Sequence, residues 1–280
     1  MKCAWEYFIR VLPLWMREKV DELGKNHLQE LRLRINAPPE LVSANKSYYL
    51  SRHVTADDLA YCINLATKYS PWASETLSAG YLTIQGGHRI GICGSLVSGG
   101  QQRVFSVITS ICIRISRDFH GIASGAVTDG SILLIGKPGS GKTTFLRDLV
   151  RQISAKDRNR VVVVDERYEI FPFADSSFCF EPGNRVDILS GCSKEKGIEM
   201  VMRSMTPTAI AVDEITAASD ADIIRKCVGC GVSLLATAHA ANLDELEKRP
   251  IYRTLLDCAV FQTLILLRAD CNWRWEYIKL

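Results

Sequence analysis

The sequence predicts an α/β protein in two parts, a smaller α+β domain over residues 1–120 and a domain built on a parallel-containing sheet over residues 121–280. Three observations lead to this prediction. The first part contains runs in which polar and apolar residues alternate, as in strands with one buried face. The second part contains short, wholly apolar runs separated by helical patterns, as in parallel strands covered by helices. A glycine-rich loop joins the first of these apolar runs to a helix.

The elements of the first part are predicted from alternation, caps and turns. Glu30 to Ile35 alternates polar and apolar residues and should form a strand. Thr55, with Asp58 three residues on, should cap a helix that runs to about Tyr69. The remaining strands are Tyr81 to Gln85 and Arg89 to Val97, which flank a Gly86-Gly87 turn, and the run around Ile111, Ile113 and Ile115.

The second part alternates strands and helices. Its predicted apolar strands are Ser131 to Ile135, Val161 to Val164, Ala209 to Val212 and Val232 to Ala236. Its predicted helices are Lys142 to about Ile153, Glu195 to Met205 and Asp220 to Val228. Val260 to Leu267 and Trp273 to Ile278 should close the sheet as a hairpin.

Composition narrows the class of protein. Of 280 residues, 47% are hydrophobic and 23% charged, and the net charge is +3 from 34 basic and 31 acidic residues, which gives no argument for nucleic acid. We expect no signal peptide and no membrane span, and therefore a cytoplasmic protein that could still reach a membrane through partners. The ten cysteines should be reduced, and Cys227 and Cys230 form one CxxC that lacks the second pair of a zinc site.

The glycine-rich loop matches G-x-x-x-x-G-K-[ST] at every fixed position. Its backbone N–H groups should surround a β-phosphate, and the positive end of the following helix should face the same anion. Lys142 should reach the β- and γ-phosphates of ATP, and the Thr143 hydroxyl should bind Mg²⁺. The predicted nucleotide-binding residues are Gly136, Lys137, Pro138, Gly139, Ser140, Gly141, Lys142, Thr143 and Thr144.

Acidic residues end two of the apolar strands. Asp213 should hold Mg²⁺ through water, and Glu214 should act as general base toward the attacking water. A helix-capping pair is the alternative for these two residues. Asp165 and Glu166 end the valine strand and should face the same nucleotide, because ligands gather at the carboxyl ends of parallel strands. His239 lies at the same edge, where it could sense the γ-phosphate or have a structural role.

With these residues in hand, the chain resembles the family of stage III sporulation protein AA, which is similar in turn to the secretion and pilus ATPases of type II and type IV systems. The resemblance covers nearly the whole chain. It depends on Leu31–Asn36, Gly80–Arg89, Ile113–Arg117, Val164–Arg167, Asp187–Cys192, Arg203–Pro207, Val212–Glu214 and Thr237–His239. Arg167 replaces a proline of the wider family, and Asp213 precedes Glu214 where many of its members have glycine.

The resemblance implies a RecA-like P-loop NTPase core preceded by a smaller α+β N-terminal domain that closes over nucleotide. It also implies a hexameric ring, with membrane proteins of the stage III sporulation complex between mother cell and forespore as partners. Asp165-Glu166 would be its Asp box and Thr237–His239 its His box. Ring ATPases commonly direct an arginine to a γ-phosphate, and Arg117 and Arg203 are the first candidates, ahead of Arg89 and Arg114.

The leading hypothesis from the sequence is an ATPase that couples hydrolysis to domain motion. Three alternatives stay open. A small-molecule kinase would need a lid and a substrate pocket, and the chain ends soon after the sheet closes. An assembly switch would bind ATP and rarely hydrolyse it. A nucleic-acid motor shares the fold, although the chain has no basic and aromatic stripe.

Overall fold

A computed structural model describes residues 1–44, 46–68, 77–78, 80–99, 102–174, 177–268 and 273–278. The chain divides into two compact units. The first comprises Met1–Asp118 and Pro172–Phe180, and the second comprises Phe119–Phe171 and Glu181–Leu280. The sequence predicted a single domain boundary near residue 120. It gave no indication that the later segment Pro172–Phe180 belongs to the first unit.

The helices and strands are numbered in chain order. The helices are α1 (Trp5–Arg10), α2 (Leu14–Leu23), α3 (Ala56–Lys68), α4 (Lys142–Ala155), α5 (Lys194–Ser204), α6 (Ala218–Gly229), α7 (Leu243–Glu247) and α8 (Pro250–Asp257). The strands are β1 (Leu28–Arg34), β2 (Glu40–Ser43), β3 (Ser47–Tyr49), β4 (Tyr81–Ile84), β5 (His88–Gly99), β6 (Gln102–Arg114), β7 (Ile132–Gly136), β8 (Val161–Asp165), β9 (Phe173–Ala174), β10 (Ser177–Phe178), β11 (Val186–Ser190), β12 (Ala209–Val212), β13 (Ser233–His239), β14 (Thr263–Leu267) and β15 (Trp275–Ile278).

The first unit contains a six-stranded antiparallel sheet in the order β3-β2-β1-β6-β5-β4. Apolar side chains of α1, α2 and α3 form one core with the buried residues of the strands, such as Leu31 and Leu33. The predicted cap of α3 is present: the Asp58 backbone N–H donates to Thr55 Oγ1, and the Thr55 backbone N–H donates to Asp58 Oδ2. The predicted end of this helix near Tyr69 lies outside the described residues.

His88 connects three parts of the first unit. Its Nε2 lies 3.0 Å from the Ala4 carbonyl oxygen, and its Nδ1 accepts from the Ser116 backbone N–H at 3.0 Å. Nδ1 accepts, so the ring is neutral, and Nε2–H donates to Ala4. Complete burial lowers the pKa of His88 to about 4. The side chain therefore fixes the N-terminal segment to the end of the sheet.

The second unit contains a seven-stranded sheet in the order β11-β8-β12-β13-β7-β14-β15. Every neighbouring pair is parallel except β14 and β15, which form the predicted closing hairpin. The strands β7, β8 and β12 are buried along their whole length, as their apolar sequences predicted. Among the described residues, no helix combines the length and apolarity that crossing a bilayer requires.

The strand order decides where the functional side chains lie. The loop after β7 carries the glycine-rich motif, and β13 and β12 lie next to β7 on one side. In this register His239 pairs with Gly136, and Val212, which precedes Asp213, pairs with Ala236. Residues that are far apart in the chain therefore meet at the carboxyl edge of the sheet.

Candidate active site

The glycine-rich loop leaves β7 at Gly136 and enters α4 at Lys142. Gly139 and Gly141 have φ values of +76° and +87°, a conformation that glycine adopts without steric cost. A Cβ on Gly136 would lie 2.5 Å from Ser140 Oγ and 2.9 Å from the Leu267 carbonyl oxygen. The loop is therefore as tight as its motif predicts, and side chains at these glycine positions would widen it.

Lys142 is almost completely buried at the start of α4. Its Nζ donates to the carbonyl oxygens of Gly136 and Lys137 at 2.9 and 3.0 Å and to His239 Nδ1 at 2.8 Å. Burial lowers the pKa of Lys142 to about 8, although the negative charges of Asp213 and Glu214 oppose that change. The loop thus holds a buried ammonium group whose positive charge is only partly offset by the nearby carboxylates of Asp213 and Glu214.

Asp213 lies directly opposite the loop. The Thr143 hydroxyl donates to Asp213 Oδ2 at 2.8 Å, and the Thr237 hydroxyl donates to Asp213 Oδ1 at 2.5 Å. The same Thr237 oxygen accepts the Glu214 backbone N–H at 2.9 Å. Thr237 was not among the residues singled out from the sequence, although it begins the Thr-Ala-His run that carried part of the resemblance.

Glu214 is half-buried and adopts a φ of +42°, which is unusual for a residue with a side chain. Its Oε1 lies 3.2 Å from His239 Nε2, and its Oε2 lies 3.6 Å from Arg167 Nη1. Because Lys142 can only donate, His239 Nδ1 accepts and Nε2 carries the proton that faces Glu214. His239 therefore links the loop lysine to the candidate base.

The second acidic pair lies beside the first. A shallow cavity is lined by Asp165, Glu166, Arg167, Glu169, Lys194, Asp213 and Glu214. Asp165 is buried and accepts the backbone N–H groups of Glu169, Ile170 and Phe171 at 2.9 to 3.0 Å. Burial raises the pKa of Asp165 to about 6, against the lowering effect of these N–H groups. Glu166 forms an ion pair with the buried Lys194.

The candidate arginines have other contacts within their own units. Arg117 donates to the carbonyl oxygens of Lys25 and Leu28 in the first unit. Arg203 is exposed on α5 and pairs with Glu199 one turn earlier. Arg114 is exposed at the end of β6, and the guanidinium of Arg89 lies 4.4 Å from the centre of the Tyr81 ring. Arg167, which was noted only as a departure from a family pattern, is the arginine whose contact with Glu214 the structure records.

The cysteines of the CxxC lie at the end of α6. Cys227 is buried and Cys230 is exposed. Burial raises the pKa of the Cys227 thiol to about 12, so this side chain is protonated at neutral pH.

The loop fits a phosphate group, and its neighbours fit a magnesium ion. Ser140 Oγ is buried, and it has no hydrogen-bond partner among the described residues, so a phosphate oxygen could accept a hydrogen bond from it.

Thr143 and Asp213 place a hydroxyl and a carboxylate oxygen side by side, the ligand types that Mg²⁺ prefers. Within the described residues, no cluster of three or more His, Cys, Asp or Glu side chains is suited to metal binding. Mg²⁺ in nucleotide sites uses few protein carboxylates, because phosphates supply further ligands.

The fold is that of the RecA-like secretion and pilus ATPases. The ATPase DotB of Legionella pneumophila superimposes with a TM-score of 0.59 at 15% identity and covers 91% of this chain and 76% of its own. The pilus retraction motor PilT, solved with bound ADP, has a TM-score of 0.58 at 16% identity, with coverage of 90% and 76%. At these identities the likeness establishes the fold alone.

The chain belongs to the family described as Sporulation stage III, protein AA, whose model matches residues 6–273. Stage III sporulation protein AA of Bacillus subtilis (strain 168) is 35% identical over 266 residues, which cover 90% of this chain and 87% of that protein. The family resemblance and the RecA-like fold predicted from the sequence are both confirmed.

Proposed function

We propose that this protein is a Mg²⁺-dependent ATPase of the ring-forming secretion type that energises a membrane-associated sporulation complex between mother cell and forespore. The observation that supports this most directly is the convergence of Lys142, Asp213 and Glu214 at one edge of the second sheet. Lys142 follows the loop after β7 and the acidic pair follows β12, and contacts through Thr143 and His239 connect them. An ammonium, a metal-binding carboxylate and a general base are the groups that ATP hydrolysis needs.

Each residue has a defined role in this proposal. The loop amides and Lys142 bind the β- and γ-phosphates, and Lys142 compensates the charge that develops on them during transfer. Thr143 and Asp213 hold Mg²⁺, which supplies further neutralisation of the phosphate oxygens when it is bound. Glu214 accepts a proton from the attacking water, and His239 orients its carboxylate through Nε2.

Phosphate release by the purified full chain tests the proposal. Lys142→Ala should abolish nucleotide binding, because it removes the ammonium group that the loop carbonyl oxygens hold. Glu214→Gln should keep ATP binding and lower turnover by at least about a hundredfold, since an amide cannot accept the proton. Exposed neighbours on α7 and its C-terminal cap provide matched controls: Lys248→Ala and Glu247→Gln should behave as wild type.

Three results would count against this assignment. Unchanged turnover in Glu214→Gln would remove that residue from the base role. Tight ATP binding without turnover in the wild-type protein would favour a nucleotide-dependent assembly switch. Strong stimulation by added DNA or RNA would favour a nucleic-acid motor, which the near-neutral net charge of +3 does not support.

The ring, the partners and the location are part of the same proposal. We expect a hexamer that forms with a non-hydrolysable ATP analogue and binds membrane proteins of the stage III complex from the cytoplasmic side. Mass measurement with and without the analogue tests the ring, and a strict monomer at high concentration would contradict it.

Arg203 is exposed and could reach a neighbouring subunit as a catalytic arginine, whereas Arg117 already donates to two backbone carbonyl oxygens of its own unit.

A further inference from the structure

Two aromatic side chains form a pair, and one of them, Trp273, lies against the phosphate loop. Phe119 is the first residue of the second unit, and Trp273 precedes β15. Their ring centroids are 5.1 Å apart, and the ring planes are inclined by 58°. Both side chains are only partly buried. Neither residue has a role in the phosphate and magnesium chemistry described above.

The indole of Trp273 touches the loop itself. A Cβ built on Gly141 would lie 2.6 Å from Cζ3 and 3.0 Å from Cη2 of this indole. Gly141 directly precedes Lys142, so the ring edge lies against the residue at which the loop becomes α4. Glycine at this position therefore serves two purposes: it permits a φ of +87°, and it leaves room for the indole.

The strand order gives the two sides of the loop different roles. Strands β13 and β12 lie on one side of β7 and lead to His239 and Asp213. In the proposed function the metal and the γ-phosphate bind on this side. Strands β14 and β15 lie on the other side, and Trp273 belongs to the segment that joins them. A triphosphate whose γ end meets β12 and β13 has the β14 and β15 side of the loop free for its α-phosphate and nucleoside.

Hydrogen bonds hold the segment after Phe119 in place relative to α4 and β15. The Asp148 carboxylate on α4 accepts the backbone N–H groups of Gly121 and Ala123 at 2.9 and 2.8 Å. The Tyr277 hydroxyl on β15 accepts the Val127 backbone N–H at 2.7 Å. The segment that follows Phe119 is thus held against α4, which begins at the phosphate loop, and against β15, which follows Trp273; such anchoring favours a preorganised surface.

We propose that Trp273, supported by Phe119, forms the stacking surface for the base of the bound nucleotide. Every nucleobase presents a π-face, and stacking on an aromatic side chain is a common way to bind one. Stacking alone discriminates little between adenine and guanine, so GTP should bind to this surface nearly as well as ATP. The inference depends on the proposed function, because it assumes that the loop binds the phosphates of a nucleotide.

Comparing ATP with inorganic tripolyphosphate separates the base from the phosphates. Affinities for both, with Mg²⁺, would be measured by calorimetry on the full chain. Trp273→Leu should weaken ATP binding about tenfold and leave tripolyphosphate binding within about twofold. Trp273→Phe should recover most of the ATP affinity, because it restores an aromatic face. Trp275→Leu is the matched control: it removes an indole from the same hairpin, where that ring contacts Phe145 and Tyr277, and should leave ATP affinity unchanged.

The outcomes distinguish the inference from the function on which it rests. Unchanged ATP affinity in Trp273→Leu would overturn the inference, as would an equal loss for ATP and tripolyphosphate. An equal loss in Trp275→Leu would also overturn it, since the effect would then come from the hairpin as a whole. If the wild-type protein bound neither ATP nor tripolyphosphate, the phosphate site itself, and with it the proposed function, would be wrong.

Discussion

Thr237 joins the two acidic residues of the candidate active site through a single hydroxyl group. It donates to Asp213 Oδ1 and accepts from the Glu214 backbone N–H, so one side chain on β13 positions both residues at the end of β12. A hydrogen bond to a charged group contributes about 1.5–3 kcal/mol. Glu214 has a positive φ, and its hydrogen bond to Thr237 helps to hold that conformation.

Replacing Thr237 by valine should therefore disturb the magnesium site while preserving side-chain volume. We expect Thr237→Val to raise the Mg²⁺ concentration for half-maximal turnover about tenfold, from the loss of one charged hydrogen bond. Thr237→Ser retains the hydroxyl and should remain close to wild type. Titration of ATP turnover with Mg²⁺ measures both variants. A wild-type value for Thr237→Val together with a loss in Thr237→Ser would show that the methyl group matters and the hydroxyl does not.

Lys142 gives the site a predictable pH dependence. Burial lowers its pKa to about 8, so the side chain is charged below this pH and becomes neutral above it. Because nucleotide binding needs the charged form, ATP affinity should be nearly constant below about pH 7 and fall about tenfold between pH 7 and pH 9. Calorimetric titrations from pH 7 to 9.5 test this.

Lys142→Arg should flatten the profile of ATP affinity against pH, whatever its absolute affinity, since a guanidinium stays charged over that range. A flat wild-type profile would mean that another group dominates phosphate binding.

At the level of secondary structure, the turn after β8 is held by Asp165, a side chain that the sequence predicted to be catalytic. Asp165 ends the valine strand at the edge where ligands gather, which is why the sequence indicated a catalytic role. In the structure its two oxygens accept three consecutive backbone N–H groups and form the turn over residues 169–171. Complete burial makes these hydrogen bonds important, because unpaired buried donors are costly.

Asp165→Asn tests which role dominates. The amide keeps one acceptor oxygen and places an NH₂ group against backbone donors, so the free energy of unfolding should fall by about 1–3 kcal/mol. Asp129→Asn is the control, because Asp129 is exposed and its pair with Lys156 should contribute little. Denaturant melts measure both variants. Unchanged stability together with lost turnover would assign Asp165 a direct part in catalysis.

At the scale of the whole molecule, the chain passes between the two units more than once. Each unit has its own apolar core, one formed around α1 to α3 and the first sheet, the other around the second sheet and its helices. The segment Pro172–Phe180 belongs to the first unit although both of its flanks belong to the second. A fragment that contained only the residues from Phe119 onward would therefore keep this segment without the first unit to which it belongs. The segment includes Phe180, which is buried in the full chain.

This organisation predicts how the second unit behaves alone. A fragment of residues 119–280 should aggregate, whereas the same fragment with 172–180 replaced by a short Gly-Ser linker should remain monomeric. The replacement is feasible because the Cys179 backbone N–H donates to the Pro172 carbonyl oxygen at 2.9 Å, so the two ends of the segment lie close together. Size-exclusion chromatography with light scattering compares the two fragments. Equal solubility would show that the first unit is not needed to cover this segment.

Local sequence patterns are enough to predict the features that depend on near neighbours in the chain. The glycine positions of the loop, the cap of α3, the buried character of β7, β8 and β12 and the closing hairpin all follow from local spacing, because steric and burial preferences act over a few residues. The strand order that places β13 and β12 beside β7 emerges only in the folded chain. That order depends on contacts between residues roughly 70 to 100 positions apart, such as Thr143 with Asp213 and Lys142 with His239. The connecting role of Thr237, the use of Asp165 by a turn and the position of Trp273 against Gly141 follow from the same long-range packing, which no local pattern encodes.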